Sequence, residues 1–578
     1  MTNLDNLRHS CAHLLAAAVL DLYPGTLKTI GPSIDNGFYF DFDFGDVKIS
    51  EDDLPKIEGR MHEIVKSWDK FTGREVSVKD AKAENADNPY KLELIDEFAG
   101  KGQKITFYRV DTYEDLCRGG HCDKPSQELK HFKLLSIAGA YWRGSEKNKM
   151  LTRIYGTCWP TQKELDEYLN MLEESKKRDH RKLGKELDLF TFSPLVGSGL
   201  PIYTPRGALL RRLVNDYVEQ VQSSQDYHQV WTPQIAKAEL FKTSGHYDKY
   251  KGDMFRVVSN YSEEEFFLKP MNCPQHTQIY ASRPRSYRDL PLRFTDFAML
   301  YRDEKPGELN GLARVRSFSQ DDCHIFCRED QVDVEIDTAL TMIKQIMATY
   351  GFKYRYRLST RDPQHPEKYL GDPKIWDKVE AWAEKIMIRN HIDYYPGVGE
   401  AAFYAPKMDL MATDALGREW QLSTVQIDYV MPERFDLTYT DSDGKAKRPI
   451  MLHRAIIGSP ERFLMILIEH YAGAFPLWLA PVQVTVLPIS DKHLDYANQV
   501  KKDLFSKGFR VDLNDKNEPL NARVRDSEMQ KVPYLLVVGD REAEANSVSI
   551  RHRGDKASVS KPLSEFISDL SADIIAKV

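Results

Sequence analysis

The sequence is poor in cysteine and has no long apolar run, and each absence excludes a class of protein. Seven cysteines among 578 residues are sparse and odd in number, which argues against a disulfide scaffold. The most apolar region, residues 463–489, is interrupted by Glu469, His470, Pro476 and Pro481, so we expect it in a core rather than across a membrane. The N-terminus, MTNLDNLRHS, has no basic segment typical of a signal or transit peptide. These features predict a cytoplasmic protein that does not contact membranes.

Excess positive charge, internal repeats and low-complexity segments are also absent. The formal net charge is -7, with 80 Lys and Arg against 87 Asp and Glu. This balance neither suggests nor excludes RNA, and a nucleic acid would have to meet local basic patches. The length and an apolar fraction of 42% allow about three or four domains, each with its own core.

The order of apolar and polar segments predicts four units: residues 1–160, a linker helix over 161–186, residues 187–480 and residues 481–578. Leucines about one turn apart give the linker helix a narrow apolar stripe, and we interpret its basic end as a solvated face rather than a phosphate contact. In the last unit, strands alternate with helices, which predicts a three-layer α/β domain with a largely parallel sheet. That unit contains no glycine-rich phosphate loop.

Two pairs of metal-ligating residue types occur in the first unit. His9 and His13 lie one turn apart on a helix that Asn6 can cap, and Cys117 and His121 have the same spacing beside a turn. If the pairs converge, they form a tetrahedral zinc site or a hydrolytic site. For either pair alone, packing of His13 and Cys117 in a core is the favoured alternative.

Residues 293–327 combine two alternating apolar runs, joined by a Pro/Gly turn at 305–307, and predict an antiparallel hairpin. Arg302 stands at the end of the first strand, and Arg314 and Arg316 are expected on one face of the second. Three guanidinium groups followed by Asp321-Asp322-Cys323-His324 cannot all be buried cheaply, so an anion or a metal is expected between them.

Cys273, His324 and His453 lie in separate segments, each at or near a predicted strand end. We expect Cys273 in a Pro-bounded loop. A Cys/His/His set with one open position is typical of a substrate-binding or catalytic zinc. Spacing cannot bring residues so distant in the chain together, and packed core residues remain the commoner case. A further pair of strands is predicted on either side of a turn at Leu416 and Gly417.

Several longer motifs resemble those of a known family. The hairpin with Arg302, the strand entering Pro233 and GSPERF at 458–463 resemble motifs 2, 1 and 3 of class II aminoacyl-tRNA synthetases. The stretches at 269–276 (KPMNCPQH), 315–327 and 451–463 are similar to threonyl-tRNA synthetases in particular. Those at 9–13 (HSCAH), 115–121, 131–144 and 153–159 resemble that family's editing module. The resemblance covers nearly the whole chain.

The resemblance implies a fold and a set of site residues. The implied fold is multidomain α+β, with an antiparallel class II sheet, an α+β editing domain and a C-terminal α/β anticodon-binding domain. The implied zinc ligands are Cys273, His324 and His453. The implied ATP and adenylate contacts are Arg302, Arg462, Arg314, Phe318, Gln421 and Gln426, of which the first two arginines are catalytic. The implied threonine contacts are Asp322, Gln320, Tyr404 and Lys407. The implied editing residues are His9, His13, Lys91, Asp115, Cys117 and His121.

The family's activity is then the expected one: ATP- and Mg²⁺-dependent ligation of L-threonine to tRNA(Thr) through threonyl-adenylate, by a homodimer with one zinc ion per subunit. Hydrolysis of mischarged Ser-tRNA(Thr) is expected in the first unit, where a metal is left open. Many members carry a β-grasp domain ahead of the editing module, and the resemblance here starts at that module, so the expected form lacks it. The alternatives are a non-catalytic tRNA-binding relative and a synthetase for proline or serine.

Overall fold

The computed structural model describes residues 3–414 and 417–577, and it divides into two compact units, Met1–Glu173 and Glu174–Val578. Each unit is considered by itself. The bounds of the four predicted units stay predictions, and the predicted turn residue Leu416 lies outside the described residues. In the described part of the chain, every helix is too short or too polar to cross a membrane.

The first unit has a helix-rich α+β arrangement. Its helices are α1 Leu4–Leu22, α2 Leu54–Ile64, α3 Val78–Glu84, α4 Pro89–Gly100, α5 Pro125–Glu128 and the start of α6 Gln162–Arg178. Its strands are β1 Leu27–Lys28, β2 Ser33–Ile34, β3 Gly37–Asp43, β4 Thr72–Glu75, β5 Thr106–Val110, β6 Tyr113–Leu116, β7 His131–Tyr141 and β8 Met150–Trp159.

Helix α1 is buried along most of its length against an antiparallel sheet of order β1-β3-β8-β7, in which β2 pairs with β3. A smaller sheet joins β4, β5 and β6. The prediction that Asn6 caps α1 was wrong. The side chain of Asn3 accepts the hydrogen bond from the Asp5 backbone N–H instead. Asn6 lies inside the helix, because the helix begins two residues before it, at Leu4.

The predicted linker helix is broken in two. Helix α6 ends at Arg178, and α7 His180–Glu186 begins after Asp179, whose side chain accepts from the Arg181 backbone N–H. A capping carboxylate at this position satisfies a free N–H group of the second helix, so one continuous helix was the wrong prediction. The apolar spacing had indicated the helical segments but not the break between them.

Residues 187–480 of the second unit alternate helices with strands, eight of which form a large sheet. The helices are α8 Pro205–Ser223, α9 Ala238–Ser244, α10 His246–Tyr250, α11 Cys273–Ala281, α12 Val332–Tyr350, α13 Pro373–Arg389, α14 Val430–Arg434 and α15 Pro460–His470. The strands are β9 Phe190–Thr191, β10 Ile202–Tyr203, β11 His228–Gln229, β12 Ile235–Lys237, β13 Arg256–Val257, β14 Phe266–Leu268, β15 Leu292–Tyr301, β16 Ser317–Cys327, β17 Tyr354–Thr360, β18 Tyr394–Val398, β19 Lys407–Thr413, β20 Glu419–Asp428, β21 Tyr439–Thr440, β22 Ala446–Lys447 and β23 Ile450–Ala455.

The large sheet has eight strands in the order β11-β15-β16-β23-β20-β19-β17-β18, antiparallel except at its two edges. Strands β15 and β16 pair from Leu292↔Phe326 to Tyr301↔Ser317, which confirms the antiparallel hairpin. The predicted Pro/Gly turn at 305–307 is only part of the connection, which is longer than expected and spans residues 302–316. Arg314 and Arg316 therefore lie in that connection and not on one face of a strand. Helices α12 and α15 pack their apolar faces on this sheet and form the main core.

Residues 481–577 form a smaller α/β segment. Its elements are β24 Val484–Pro488, α16 Leu494–Ser506, β25 Val511–Leu513, α17 Leu520–Met529, β26 Tyr534–Val538, α18 Asp540–Ala545, β27 Ser547–His552, β28 Val559–Pro562 and α19 Leu563–Ala576. The sheet order is β25-β24-β26-β27-β28, in which the first three strands are parallel and the last two pairings are antiparallel. The prediction of a largely parallel sheet was therefore only half right.

Candidate functional site

Sheet register brings Cys273, His324 and His453 together in what we call the Cys/His/His cluster. His324 on β16 and His453 on β23 are direct cross-strand partners, and His324 Nε2 lies 3.0 Å from His453 Nδ1. Cys273 is the first residue of α11 and not part of a loop, as had been predicted. The three candidate ligand atoms lie within 4.8 Å of one another, and all three side chains are buried. These distances show that the three residues meet, which their spacing in the sequence could not show.

The second nitrogen of each imidazole has its own partner. His453 Nε2 lies 2.8 Å from Asp428 Oδ2, and His324 Nδ1 lies 2.8 Å from His276 Nδ1. Such outer partners orient imidazole ligands toward a metal. Burial lowers the pKa of His324, which keeps its imidazole neutral, and burial raises the pKa of the Cys273 thiol. A divalent cation would supply the charge that stabilises the thiolate, so the donor set fits a tetrahedral zinc.

A cavity opens on this cluster, and we call it the histidine cavity. It is lined by Met271, Asn272, Cys273, Gln320, Asp322, His324, Tyr404, Thr424, Gln426, His453, Arg454 and Ala455. The Tyr404 hydroxyl donates to Gln426 Oε1 at 3.3 Å. Burial, with the nearby Asp296 and Asp321, raises the pKa of Asp322 to about 8. The cavity thus offers two hydroxyls, three amides and a carboxyl group beside the candidate metal ligands.

A second cavity, the arginine cavity, lies along the same strand. It is lined by Arg302, Glu304, Leu312, Ala313, Arg314, Val315, Phe318, Gln320, Gln421, Leu422, Thr424, Ala455, Gly458, Ser459 and Arg462. The Arg302 guanidinium stands 5.1 Å from the centre of the Phe318 ring. Arg462 donates to the carbonyl oxygens of Ala313, at 3.3 Å, and Gln421, at 3.1 Å. Two half-buried guanidinium groups whose hydrogen bonds go to neutral atoms make a site for an anion.

Electrostatics support that interpretation of the arginine cavity. Burial, together with the like charges of Arg302 and Arg314, lowers the pKa of Arg462 to about 10. Burial also lowers the pKa of Arg302. An anionic ligand between these groups would raise the pKa of both arginines, since it favours the protonated guanidinium.

The other two arginines of the hairpin differ from Arg302. Arg314 pairs with Glu304 at 2.8 Å and with Glu308 at 3.0 Å, so carboxylates of the same loop balance its charge. Arg316 donates to the Glu304 carbonyl oxygen and lies 3.7 Å from Asp303. The sequence pattern predicted one site for the three arginines, whereas the fold gives them different partners.

Lys407 lies on β19 beside the cavities. Its ammonium group is 3.1 Å from Asp409 Oδ2 and 3.5 Å from Gln421 Oε1. Gln421 in turn lines the arginine cavity. Lys407 is therefore connected to the site through Gln421.

The two cavities are contiguous, because Gln320, Thr424 and Ala455 line both of them. Side chains of a strand alternate between its faces, and the even-numbered residues of β16 from Phe318 to His324 share the cavity side. Glu304, Thr424 and Asp428 had not been predicted. Asp428 could have been found, since it follows Gln426 at the two-residue spacing of one strand face.

A separate group, the His/His/Cys/His cluster, lies in the first unit. His9 Nε2 is 3.2 Å from His13 Nε2 and 3.4 Å from Cys117 Sγ, and Cys117 Sγ is 3.5 Å from His121 Nε2. His9 Nδ1 lies 3.1 Å from the Gly120 carbonyl oxygen, which orients its ring. The four ligand atoms lie within 4.8 Å of one another, so the two predicted pairs converge.

A buried carboxylate supports this cluster from behind. Asp115 pairs with Lys91 at 2.7 Å and Lys28 at 3.3 Å, and it accepts from the Tyr113 hydroxyl at 3.2 Å. Burial opposes ionisation of Asp115, but the two lysines hold its pKa well below the usual range. His13 Nδ1 lies 3.8 Å from the same carboxylate. Lys28 had not been predicted, because no local pattern relates it to residues so far along the chain.

The cluster residues are held in their neutral forms. Burial lowers the pKa of His9, and burial with neighbouring charges lowers that of His13 well below its usual value. Burial and His9 lower the pKa of His121 to about 3, and burial raises that of Cys117 to about 11. Neutral imidazoles can accept protons or bind a metal, so the geometry suits hydrolysis with or without an ion.

Three family models match the chain. Residues 255–471 match the tRNA synthetase class II core domain (G, H, P, S and T), and residues 483–573 match an anticodon binding domain. Residues 105–155 match the threonyl and alanyl tRNA synthetase second additional domain. Both cavities lie largely within the first of these ranges, and part of the His/His/Cys/His cluster lies in the last.

Relatives extend the similarity to nearly the whole chain. The threonine–tRNA ligase of Rubrobacter xylanophilus is 49% identical over 574 residues, 99% of this chain and 89% of the relative. That of Cytophaga hutchinsonii is 48% identical over 570 residues, 98% of this chain and 88% of the relative. The crystal structure of the RNA binding domain of threonyl-tRNA synthetase from Cryptosporidium parvum Iowa II covers 68% of this chain and 98% of its own, with a TM-score of 0.65 and 38% identity. With this degree of identity over almost its full length, the chain belongs to the family of threonine–tRNA ligases.

Proposed function

We propose that this chain ligates L-threonine to tRNA(Thr) through threonyl-adenylate and hydrolyses mischarged Ser-tRNA(Thr). The observation that carries the proposal is the pair of contiguous cavities, one suited to an anion and the other beside a candidate metal centre. A class II core implies ATP with Mg²⁺ as the energy source. The carboxylate of the amino acid would attack the α-phosphorus of ATP and displace pyrophosphate, without a covalent intermediate on the enzyme. Alignment and positive charge are then the protein's contribution.

In this proposal the arginine cavity binds ATP and the adenylate. Arg302 and Arg462 hold the phosphate groups and stabilise charge in the transition state, while Phe318 stacks on adenine. The remaining nucleotide and adenylate contacts are Arg314, Gln421 and Gln426. The neutral hydrogen-bond partners of the two half-buried arginines support their role, because these bonds do not balance the guanidinium charges.

The histidine cavity would hold threonine beside Zn²⁺. Cys273, His324 and His453 would bind the ion, which supplies a Lewis acid for the amino group and side-chain hydroxyl of the substrate. Asp322, Gln320, Tyr404 and Lys407 complete the proposed threonine contacts. Threonine and valine have nearly the same shape, and an apolar pocket separates such pairs by only about 1 to 3 kcal/mol. A polar site that requires the hydroxyl leaves its own groups unpaired with valine and rejects it far more strongly.

Serine presents the opposite problem, because it has the hydroxyl and differs from threonine by one methyl group. Binding alone should reject it by roughly 10- to 200-fold, so a second, hydrolytic site is needed. We assign this role to the His/His/Cys/His cluster with Lys91 and Asp115. The buried lysine–carboxylate pair behind His13 supports the assignment, since it fixes the imidazole that would position a water on the seryl ester.

The remaining partners follow from the same proposal. Residues 481–578 would read the anticodon of tRNA(Thr), and the chain would act as a cytoplasmic homodimer. We propose that the dimer contact includes apolar side chains left exposed before and after α8. They are Leu195, Val196, Trp231 and Ile235.

ATP–pyrophosphate exchange with a panel of amino acids tests the proposed function. We expect exchange with threonine, weaker exchange with serine, and almost none with valine or proline. Exchange with proline alone would instead identify a synthetase for that amino acid. Absence of exchange with every amino acid, in protein that binds tRNA(Thr), would favour a non-catalytic relative and defeat the proposal.

Substitution Asp428→Asn should weaken zinc binding about 10- to 100-fold, because loss of an outer-shell partner of a metal-bound histidine has this effect. The Asp428 carboxylate accepts from His453 Nε2 and so leaves Nδ1 to face the cluster. Zinc affinity would be measured by competition with a chromophoric chelator. Asp443→Asn, an exposed loop carboxylate in the same unit, is the matched control. Equal affinities of the two variants would contradict the zinc assignment.

A further inference from the structure

Strand β16 has a second face, which the proposed substrates do not touch. Phe318, Gln320, Asp322 and His324 line the two cavities, so the intervening residues point the other way. On this opposite face, Ser319 is 1% exposed, and Asp321 is fully buried. The contacts of Ser319 and Asp321 fix the positions of the cavity-side residues. Ser319 lies between Phe318 and Gln320 on the strand, and Asp321 lies between Gln320 and Asp322.

Ser319 is held by two side chains from different helices. Its backbone N–H donates to Glu461 Oε2 at 2.9 Å, and its hydroxyl accepts from Arg211 Nη2 of α8. Arg211 Nη2 also lies 3.6 Å from Glu461 Oε1. The Ser459 hydroxyl donates to Glu461 Oε2 at 2.9 Å. Arg211, Ser319 and Glu461 thus form a three-element contact, which we call the Arg211 clamp.

The Arg211 clamp is adjacent in sequence to the arginine cavity at both ends. Ser319 directly follows Phe318, and Glu461 directly precedes Arg462. A shift in either clamp residue would therefore move an aromatic ring or a guanidinium group of the cavity. Burial raises the pKa of Glu461, and Arg211 opposes this effect, so the contact is electrostatic as well as steric.

A second anchor fixes the next residue of the same face. Asp321 accepts from Gln222 Nε2 of α8 at 2.6 Å and from the Ile456 backbone N–H at 2.7 Å. Its own backbone N–H donates to the Gly458 carbonyl oxygen at 2.9 Å. This anchor holds the turn before α15 independently of Arg211. Loss of the Arg211 clamp should therefore disturb the cavity without unfolding the strand.

We propose that Arg211 is a positioning residue for the ATP side of the site: through Ser319 and Glu461, Arg211 sets the positions of Phe318 and Arg462. The proposal rests on the proposed function. The effect should fall mainly on the ATP side. Gln320 is the one proposed threonine contact adjacent to Ser319, and it lines both cavities. His324, at the other end of β16, is held by His453 and His276 instead.

The test measures KM for ATP and for threonine separately, by pyrophosphate exchange with the full chain. For Arg211→Met we expect KM for ATP to rise ~10-fold, because small misplacements of aligned groups are costly, and KM for threonine to change by less than about twofold. Arg212→Met, an exposed neighbour on the same helix, should leave both values unchanged. Arg211→Lys should recover part of the loss, since it restores charge but not the forked geometry.

Two further measurements separate positioning from general destabilisation. Glu461→Gln combined with Arg211→Met should be no worse than the more severe single variant, because both remove the same contact. Ser-tRNA(Thr) hydrolysis, assigned to the first unit, should stay normal in every variant. Equal increases in both KM values, or an unchanged KM for ATP, would overturn the positioning role. A wild-type chain without threonine-dependent exchange would instead overturn the proposed function itself.

Discussion

Replacing Cys273 by alanine should lower threonine-dependent ATP–pyrophosphate exchange by about a thousandfold and abolish stoichiometric zinc binding. The thiol is the one sulfur donor of the Cys/His/His cluster, and its loss leaves two imidazoles, which are too few for a tightly held tetrahedral ion. Without the proposed ion, the threonine hydroxyl would lose the partner by which the site distinguishes threonine from valine. Zinc content would be measured by metal analysis of the purified protein, alongside exchange.

Cys327→Ala is the matched control for this experiment. Cys327 is fully buried at the end of β16 and packs in the apolar core, so its replacement tests the cost of losing a buried thiol. We expect the control variant to retain its zinc and its exchange activity. Full exchange by the Cys273 variant in the absence of bound zinc would defeat the role of the metal.

Replacing His9 and His13 together by alanine should slow release of serine from Ser-tRNA(Thr) about 10²- to 10⁴-fold, the usual contribution of positioned acid–base groups. The Nε2 atoms of the two imidazoles lie 3.2 Å apart, with Cys117 and the carboxylate of Asp115 close by. Loss of the imidazoles therefore removes both the proton acceptors and the geometry of the cluster. Deacylation of preformed Ser-tRNA(Thr) is the measurement.

The matched control is the double variant His62→Ala with His131→Ala, two histidines of the same unit outside the cluster. Threonine-dependent exchange should be normal in both double variants, because activation is assigned to the second unit. Normal deacylation by the His9/His13 variant would show that the cluster is not the editing site.

Local patterns predicted the helices and strands correctly where the residue types and the apolar periodicity indicated the same element. The spacing of His9 and His13 indicated a shared helix face, and the alternating runs around residues 293–327 indicated an antiparallel hairpin. Errors arose at ends and connections. Helix α1 begins at Leu4, the linker breaks at Asp179, and the hairpin connection extends to Arg316. Element ends depend on one or two capping or turn interactions, which compete closely in energy.

Outer partners of the site were the least predictable part. Lys28 and His276 act through contacts with residues distant in the chain, and no local spacing relates them to those residues. The same holds for Arg211, which is indistinguishable in the sequence from Arg212 next to it. One is turned toward Ser319 and the other is exposed, and only the packing of α8 on the sheet decides which.

The residue types and motifs of the sequence by themselves determined the family and the kinds of chemistry available: sulfur and imidazole donors, arginines and a second histidine group. The tertiary structure alone decided that these residues meet. Register between β16 and β23 sets His324 opposite His453, and the start of α11 brings Cys273 within 4.8 Å of both. The physical reason is that a ligand or an anion site requires atoms a few ångströms apart, whereas the sequence specifies only their order along the chain.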